Sequence, residues 1–592
     1  MIEVFFWLTS TALAATVLIL LLPVHITKKL GNKQKVRLAL VGVFIMGLFL
    51  HIPMYLTEYS GEKFSGLNGF VSAFHHTLRM FVLDGELDPI KTFADQYAGS
   101  YAALFFLAAE IAYILGPLLT GGVILSFFEN AFAYLVLYTH PFSNYSIFSD
   151  LNEQSLCLAE NIKTNSPKTR IVFTDVYPDE TETSTELQTA AADLGALCFK
   201  CDLLALRLGI HKRTSRLTRL FIMGKDEDEK IKQASLLIQR HGDNPHVELY
   251  IFSDSIESSL LTQTMQPKGM KVRRISDAKS LINDILYRNG SMLFEKADGS
   301  ADRNKDISAV VLGLGSYGTQ MLKALPWFGQ MDGYSLTITA VDLHKDIADR
   351  FAFQCPELMS PKRNGVIEDG EAQYLINIHS GMDVFSAQFE KMLSALPAVT
   401  YCFVALGNDR LNIETAVHFR ELCERLHFKP VIQAVVYDTV LARQFCLATN
   451  FRGKPYNICC VGSIQERYSE DAIIAPELEK EALLRHLRWG DEESFWRYEF
   501  NYRSSIASAL HHRLKLACHI PGADLPPEER TPEDRDRLRL MEHRRWNAYM
   551  RSEGYCYSGS RDKQSRNDLA KLHNDLVPFD LLTEEEKAKD DV

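Results

Sequence analysis

Gly313-Leu-Gly315-Ser316-Tyr317-Gly318 has the glycine spacing of a phosphate-binding turn. In such a turn the first glycine permits the sharp bend, the second lets the backbone approach a pyrophosphate, and the third packs helix on strand. A buried-strand run, Ile307–Leu312, precedes the turn, and a helical stretch, Thr319–Leu325, follows it. The amide groups and dipole of that helix start would face the phosphates. A second apolar strand, Leu336–Val341, ends on Asp342, where a carboxylate can hold ribose hydroxyls. A later strand exit, Ala405-Leu-Gly407-Asn-Asp409, adds a glycine to the same strand ends. The pattern predicts that Gly313, Gly315, Ser316, Tyr317, Gly318, Asp342 and Gly407 bind NAD or another adenine nucleotide. The competing reading is a Rossmann-like fold that keeps these glycines for packing.

Other chemistry finds little support. An oxidoreductase needs an acid–base pair near the nicotinamide, but His344 and His379 stand isolated, and no catalytic residue is assigned. Eleven cysteines follow no framework spacing. Cys198-Phe-Lys-Cys201 is a lone C-x-x-C on an apparent strand, Ala196–Cys201, so no metal site is expected. Free thiols of this kind fit a reducing cytosol. A net charge of −11 argues against a nucleic-acid partner.

The glycine turn belongs to the second of two similar α/β units, taken as residues 141–296 and 305–470. Strands Tyr145–Phe148 and Thr169–Thr174 correspond to Ile307–Leu312 and Leu336–Val341. Leu220–Gly224 corresponds to Cys402–Gly407, and Val247–Phe252 to Pro430–Val436. Strands alternating with helices predict a doubly wound parallel sheet in each unit. The first unit has Ser149-Asp-Leu-Asn-Glu-Gln-Ser155 in place of the glycines. Asp150 and Glu153 would repel phosphate there, so that unit is expected to be a structural or dimerisation copy.

Residues 1–130 have the composition of an α-helical membrane domain. Runs at about 4–24, 38–55 and 101–128 are long enough to cross about 30 Å of hydrocarbon. Lys28, Lys29, Lys33, Lys35 and Arg37 place the first loop in the cytoplasm. Three crossings then put the N-terminus outside the inner (plasma) membrane and the large C-terminal part in the cytosol. Glu110 lies within the third run and is a pore candidate. Gly116-Pro117 follows and would kink that helix. Phe70–Leu83 reads as an interfacial amphipathic helix. Three spans require oligomers to enclose a pathway, so a homo-oligomer is expected.

Residues 495–592 form a further module. It contains Tyr502–His512, a polar linker Pro521–Asp534, and a helix carrying Glu542, His543, Arg545, Trp546 and Tyr549. Glu542-His-x-x-Trp546, Gly554-Tyr555-x-Tyr557, His573–Phe579 and the Glu-Glu-Lys587 ending resemble a ryanodine-receptor repeat (RyR domain). The tandem α/β units resemble the regulatory Rossmann domains of potassium channels and Trk-type transporters (RCK or TrkA N-terminal domains), through residues 307–342 and 405–409. The first resemblance implies a small helical ligand-sensing module, with Trp546, Tyr555 and Tyr557 as a stacking surface and Arg545 and His573 as polar partners. The competing reading makes those aromatics the module's core. The second resemblance implies paired domains that bind a nucleotide and pull on membrane helices. No Thr-Val-Gly-Tyr-Gly-like filter occurs in residues 1–140, so potassium selectivity does not carry over.

Together these features predict a nucleotide-responsive membrane protein. It would be an oligomeric ion channel or membrane effector in nucleotide-based stress or antiviral signalling, taking a small nucleotide ligand. The alternatives are a membrane-tethered NAD-dependent oxidoreductase and a non-conducting receptor scaffold.

Overall fold

The computed structural model describes residues 2–21, 32–61, 63–82, 84–127, 133–134, 136–137, 143–177, 181–206, 216–265, 267–297, 305–359 and 374–592. The chain divides into two compact units, Met1–Thr139 and His140–Val592. The expected basic loop at Lys28 and Lys29, and most of the 130–140 connection, lie outside the described residues.

The first unit holds helices α1 (Ile2–Leu21), α2 (Asn32–Glu58), α3 (Ser65–Met80), α4 (Asp88–Tyr97) and α5 (Ala102–Phe127). Leu38–Glu58 and Ala102–Gly121 are long and apolar enough to cross a membrane by length and composition. Lys33, Lys35 and Arg37 begin α2 rather than sitting in a loop. Helix α5 continues through Pro117 to Phe127. Small residues on α3, Gly69 and Ala73, are buried, while Leu67, Phe70, Val71, Phe74 and Leu78 are exposed. A polar tie joins three helices. His51 Nδ1 lies 2.8 Å from Gly47 O and 3.1 Å from Thr77 Oγ1, and Nε2 lies 3.0 Å from Tyr113 OH.

The second unit is built on two parallel six-stranded sheets. Strands β1 (Tyr145–Phe148), β2 (Arg170–Phe173), β3 (Leu197–Cys198), β4 (Thr218–Ile222), β5 (Val247–Phe252) and β6 (Lys271–Ile275) are arranged 3-2-1-4-5-6. Strands β7 (Lys305–Leu312), β8 (Tyr334–Asp342), β9 (Tyr374–Ser380), β10 (Tyr401–Val404), β11 (Val431–Val435) and β12 (Ile458–Val461) repeat that order as 12-11-10-7-8-9. Both are doubly wound Rossmann-like sheets, as the repeat predicts. The strand order reverses beside β1 and beside β7. Ligands of such sheets sit at that reversal, outside the carboxyl ends of the strands.

The two sheets exchange their closing segments. Helix Asp277–Asn289 follows β6, yet its Leu281, Ile282, Ile285 and Leu286 are buried in one core with Ile307, Val311 and Met321 of the second sheet's layers. In return, Tyr468, Ile473 and Ile474 follow β12 but join the core of Phe148, Phe173 and Phe221 in the first. Arg219 on β4 pairs with Glu470 at 3.2 Å, and Asn161 Oδ1 accepts from Glu470 N at 2.8 Å. Residues 468–474 therefore complete the first core although they come after the last strand of the second.

Helices Pro476–His486, Glu499–Ala517 and Pro532–Ser552 complete the unit and share the core of the glycine-turn helix. Trp327 meets Tyr549 edge-on with ring centroids 6.2 Å apart, and His511 Nε2 lies 2.8 Å from Gln330 O.

Ile474 is 4 % exposed, and its replacement by Ala leaves a cavity that neighbours fill only in part. Ile474→Ala is expected to cost about 2–5 kcal/mol, read as a lower urea midpoint of the detergent-solubilised chain. An unchanged midpoint would show that the exchanged segment does not close the first core.

Candidate functional site: a glycine turn and a buried arginine cavity

Each glycine of the turn has its own physical reason. Gly313 has φ +84, and a Cβ there would lie 2.5 Å from Ala405 O. A Cβ on Gly318 would lie 1.7 Å from Gly313 O, so this position admits nothing larger than glycine. Gly315 differs: φ is −66 and no protein atom lies within 4 Å of a built Cβ. The space in front of Gly315 is open. It leads to the start of helix Ser316–Phe328, whose first turn no side chain caps. Unsatisfied amide groups at such an end attract anions.

Asp342 organises this turn. Its Oδ2 accepts from Leu314 N at 2.6 Å, and its Oδ1 accepts from His344 N at 2.8 Å with His344 Nδ1 also at 2.8 Å. Burial would raise the carboxyl pKa, but hydrogen bonds from His344 and Leu314 hold it below the usual value. Both oxygens of the expected ribose ligand thus already receive protein donors. Ser316 sits exposed at the helix start, and Gly407 has φ +103 with open space around it. Tyr317 points elsewhere. Its hydroxyl bonds Asp277 and Arg467, and Arg467 Cζ lies 4.5 Å from its ring centroid. Tyr468 OH donates to the other Asp277 oxygen at 3.1 Å.

The matching turn of the first unit is closed to anions. Asn152 caps helix Glu153–Asn165: its Oδ1 accepts from Ser155 N at 2.9 Å, and Ser155 Oγ accepts from Asn152 N at 2.9 Å. The amide that a phosphate would use is already satisfied, and Asp150 and Glu153 stand beside it. Cys198 lies on β3, where burial pushes its thiol up to about 11, the reverse of a metal-ligating or redox thiolate.

A second cavity, of about 370 Å³, lies in the C-terminal helices. Arg485, Trp489, Arg545, Trp546 and His573 line it, and its size falls in the range of small-ligand sites. Glu542, 3 % exposed, also lines it, with Arg545 Nη2 at 2.9 Å, Lys515 Nζ at 3.5 Å and Ser508 Oγ at 2.8 Å. Burial would raise the Glu542 carboxyl, but Arg545, Lys515 and Arg485 hold it well below the carboxylate range. The lining also carries Arg566 and Lys589 against Asp575, Glu586 and Asp590, so with Glu542 its formal charges balance. Burial pushes Lys515 down to about 8 and Arg485 down to about 10, with Arg545 and Arg530 adding repulsion at Arg485. Arg485 Nη2 and Arg545 Nη1 are buried and make no hydrogen bond among the described residues. A buried guanidinium N–H without an acceptor is costly, and an incoming oxyanion would supply one. The Trp546 ring lies 5.0 Å from His573 and 6.0 Å from His543, beside those nitrogens.

The structure thus brings Arg545, Trp546 and His573 together at one cavity. Tyr555 and Tyr557 do not line it, which corrects the expected three-ring stacking surface. Tyr555 packs against Phe500 at 5.7 Å. Tyr557 lies in the parallel pair Cys556–Tyr557 with Leu572–His573, its amide donating to Glu357 at 3.0 Å. Arg485 was invisible to the sequence reading because it comes from a helix 60 residues before Arg545. Glu110 is half-buried in α5, with no hydrogen bond or ion pair among the described residues. The His51–Thr77–Tyr113 tie was not anticipated; its only sequence signal was a histidine inside an apolar run.

No family model matches this chain, and no curated protein matches it. Among solved structures, a dipicolinate synthase chain from Bacillus halodurans aligns at 9 % identity and a TM-score of 0.20, over 57 % of this chain and 97 % of that one. A score this low carries no argument about fold or activity.

His573 gives the cavity a measurable pH signature. Burial, helped by Arg566, lowers it from 6.5 to about 4. Between those values the unfolded chain binds a proton that the folded chain refuses, so stability falls as pH drops from 6.5 towards 4. A shift of that size is worth up to about 3 kcal/mol. His573→Gln is expected to flatten this limb in urea titrations across pH. A slope equal to the parent's would show that the imidazole is not buried.

Proposed function

We propose that this chain is a nucleotide-responsive membrane protein, with an adenine nucleotide such as NAD at the glycine turn and an anionic ligand in the arginine cavity. The observation that carries the reading is the contrast between the two turns. One helix start is capped by Asn152, and its twin is uncapped, with open space at Gly315. The cavity suits a ligand that combines phosphate with a flat ring: two unpaired guanidinium nitrogens for the oxyanion and an indole for the ring.

The two sites are joined through packed groups. Glu542 reaches Arg545 on the cavity side and lies 4.0 Å from His511 on the other. His511 bonds Gln330 just beyond the helix that begins at Gly315. The membrane role rests on the two long apolar stretches and on the exposed apolar side chains of α3. A channel or membrane effector fits these parts best, with α1 as a third span, the second unit in the cytosol and Glu110 facing the pathway. Assembly into oligomers would follow from so few spans. A non-conducting receptor built from the same parts is the second reading, since no ion pathway is defined.

Gly315→Asp adds a carboxylate where the backbone conformation and the space both allow a side chain. It should fold with an unchanged melting temperature and lose at least about tenfold in NAD or ATP affinity, given the 1.5–3 kcal/mol of a charge-assisted hydrogen bond. Undiminished affinity in the folded variant would sink the assignment.

Ion flux from reconstituted vesicles, screened across NAD, ATP, cyclic nucleotides and short oligonucleotides, tests the output. Flux should rise with one ligand class, and Arg485→Met should raise the concentration needed by about tenfold or more. A ligand that binds without opening any flux would favour the receptor.

A further inference from the structure

The glycine turn and the arginine cavity leave one cluster of reactive groups unused. Strand β12 carries adjacent cysteines, Cys459 and Cys460, and helix Thr439–Cys446 ends on a third. Strand alternation sends the two strand cysteines to opposite faces. Cys459 packs against the core shared with the glycine-turn helix, while Cys460 packs with Ile413, Val436 and Ala442. Cys446 lies directly over Cys460. Its Sγ accepts from Cys460 N at 3.3 Å. Cys446 is exposed and Cys460 is buried. An accessible thiol beside a shielded one is the arrangement of an oxidisable pair. The buried Cys355, Cys402 and Cys423 are out of reach of a dissolved oxidant.

We propose that Cys446 and Cys460 form a reversible disulfide, with a peroxide as the oxidant. The exposed Cys446 sulfur attacks one peroxide oxygen and becomes a sulfenic acid, and the peroxide leaves as one water. The Cys460 sulfur then attacks the sulfenic sulfur, the S–S bond forms, and the hydroxyl departs with the Cys460 proton as a second water. Two thiols are oxidised by two electrons, and one peroxide is reduced to two waters. Burial pushes the Cys460 thiol up, so Cys446 is the first to react and Cys460 resolves it.

The bond would fasten helix Thr439–Cys446 to β12. That strand runs into Gly462, whose carbonyl accepts from Arg467 Nε at 2.5 Å, and Arg467 holds the Tyr317 hydroxyl. The oxidisable pair therefore adjoins the strand that supports the glycine turn, and it requires nothing of the nucleotide reading.

The test exposes the detergent-solubilised full chain to dilute hydrogen peroxide and alkylates the remaining thiols. It then digests without reduction and maps cross-linked peptides by mass spectrometry. The expected result is a peptide pair joined through Cys446 and Cys460, with the loss of two free thiols and full recovery on adding a dithiol. Cys446→Ser, at an exposed position, should abolish the pair, and Cys459→Ser should leave it intact. Cys446 over-oxidised to sulfinic acid while Cys460 remains alkylatable would overturn the proposal. So would a cross-link that runs through Cys459.

Discussion

Asp277 lies where the two exchanged segments of the chain cross. It starts the helix that leaves the first sheet for the second, and its carboxylate takes the hydroxyls of Tyr317 and Tyr468. Arg467 lies against it at 3.5 Å and stacks on Tyr317. The Asp277 side chain is 37 % exposed, so these bonds fix the geometry of the crossing more than they compensate a buried charge. The crossing is thus held by groups from the first repeat, the glycine turn and the segment after β12 together. If the two sheets rotate relative to each other, these are the bonds that must rearrange, and one of them belongs to the glycine turn.

The same topology serves two opposite ends in the two repeats. In the first, Asn152 supplies from within the chain what an anion would otherwise supply, and the crevice is filled. In the second, Gly315 supplies nothing and leaves the helix start exposed. Part of the difference is one side chain at one N-cap, worth about 1 kcal/mol as a cap, and part is Asp150 and Glu153 beside it. Asp342 then occupies an intermediate position. Its bonds to Leu314 and His344 shape the empty turn, and ribose hydroxyls approaching it must share or displace those donors.

The sheets were legible because buried parallel strands are short, mainly apolar runs, and β7, β8, β10 and β11 keep that character although Ser308, Thr337, Thr339 and Gln433 interrupt three of them. The glycine turn was legible because Gly313 and Gly318 each answer a local steric demand. The exchange of closing segments was not, since Leu281 and Ile474 are equally apolar whichever core they enter. Arg485 was hidden for a related reason: only packing brings the helix Pro476–His486 against Arg545. Tyr555 and Tyr557 misled because sequence shows an aromatic but not its direction: Tyr555 packs against Phe500, and neither tyrosine is among the residues that line the cavity.

The arginine cavity poses the sharper energetic question. A core that needed only stability would be at least as well served by apolar residues as by Arg485, Lys515, Arg545 and Glu542, because their mutual attraction rarely exceeds the cost of removing them from water. Here two guanidinium nitrogens, Arg485 Nη2 and Arg545 Nη1, are left without acceptors among the described residues, and Glu542 Oε2 is left without a donor. An oxyanion entering the cavity, as proposed, would supply those acceptors and act on the groups that face both ways. Glu542 is the clearest of these, held between Arg545 at the cavity and His511 beneath the glycine-turn helix. An anion that draws Arg545 towards itself must loosen its hold on Glu542, and the carboxylate then has Lys515 and His511 as its remaining partners. Under the proposed reading, ligand binding in the cavity would change the charge balance under the helix that begins at Gly315.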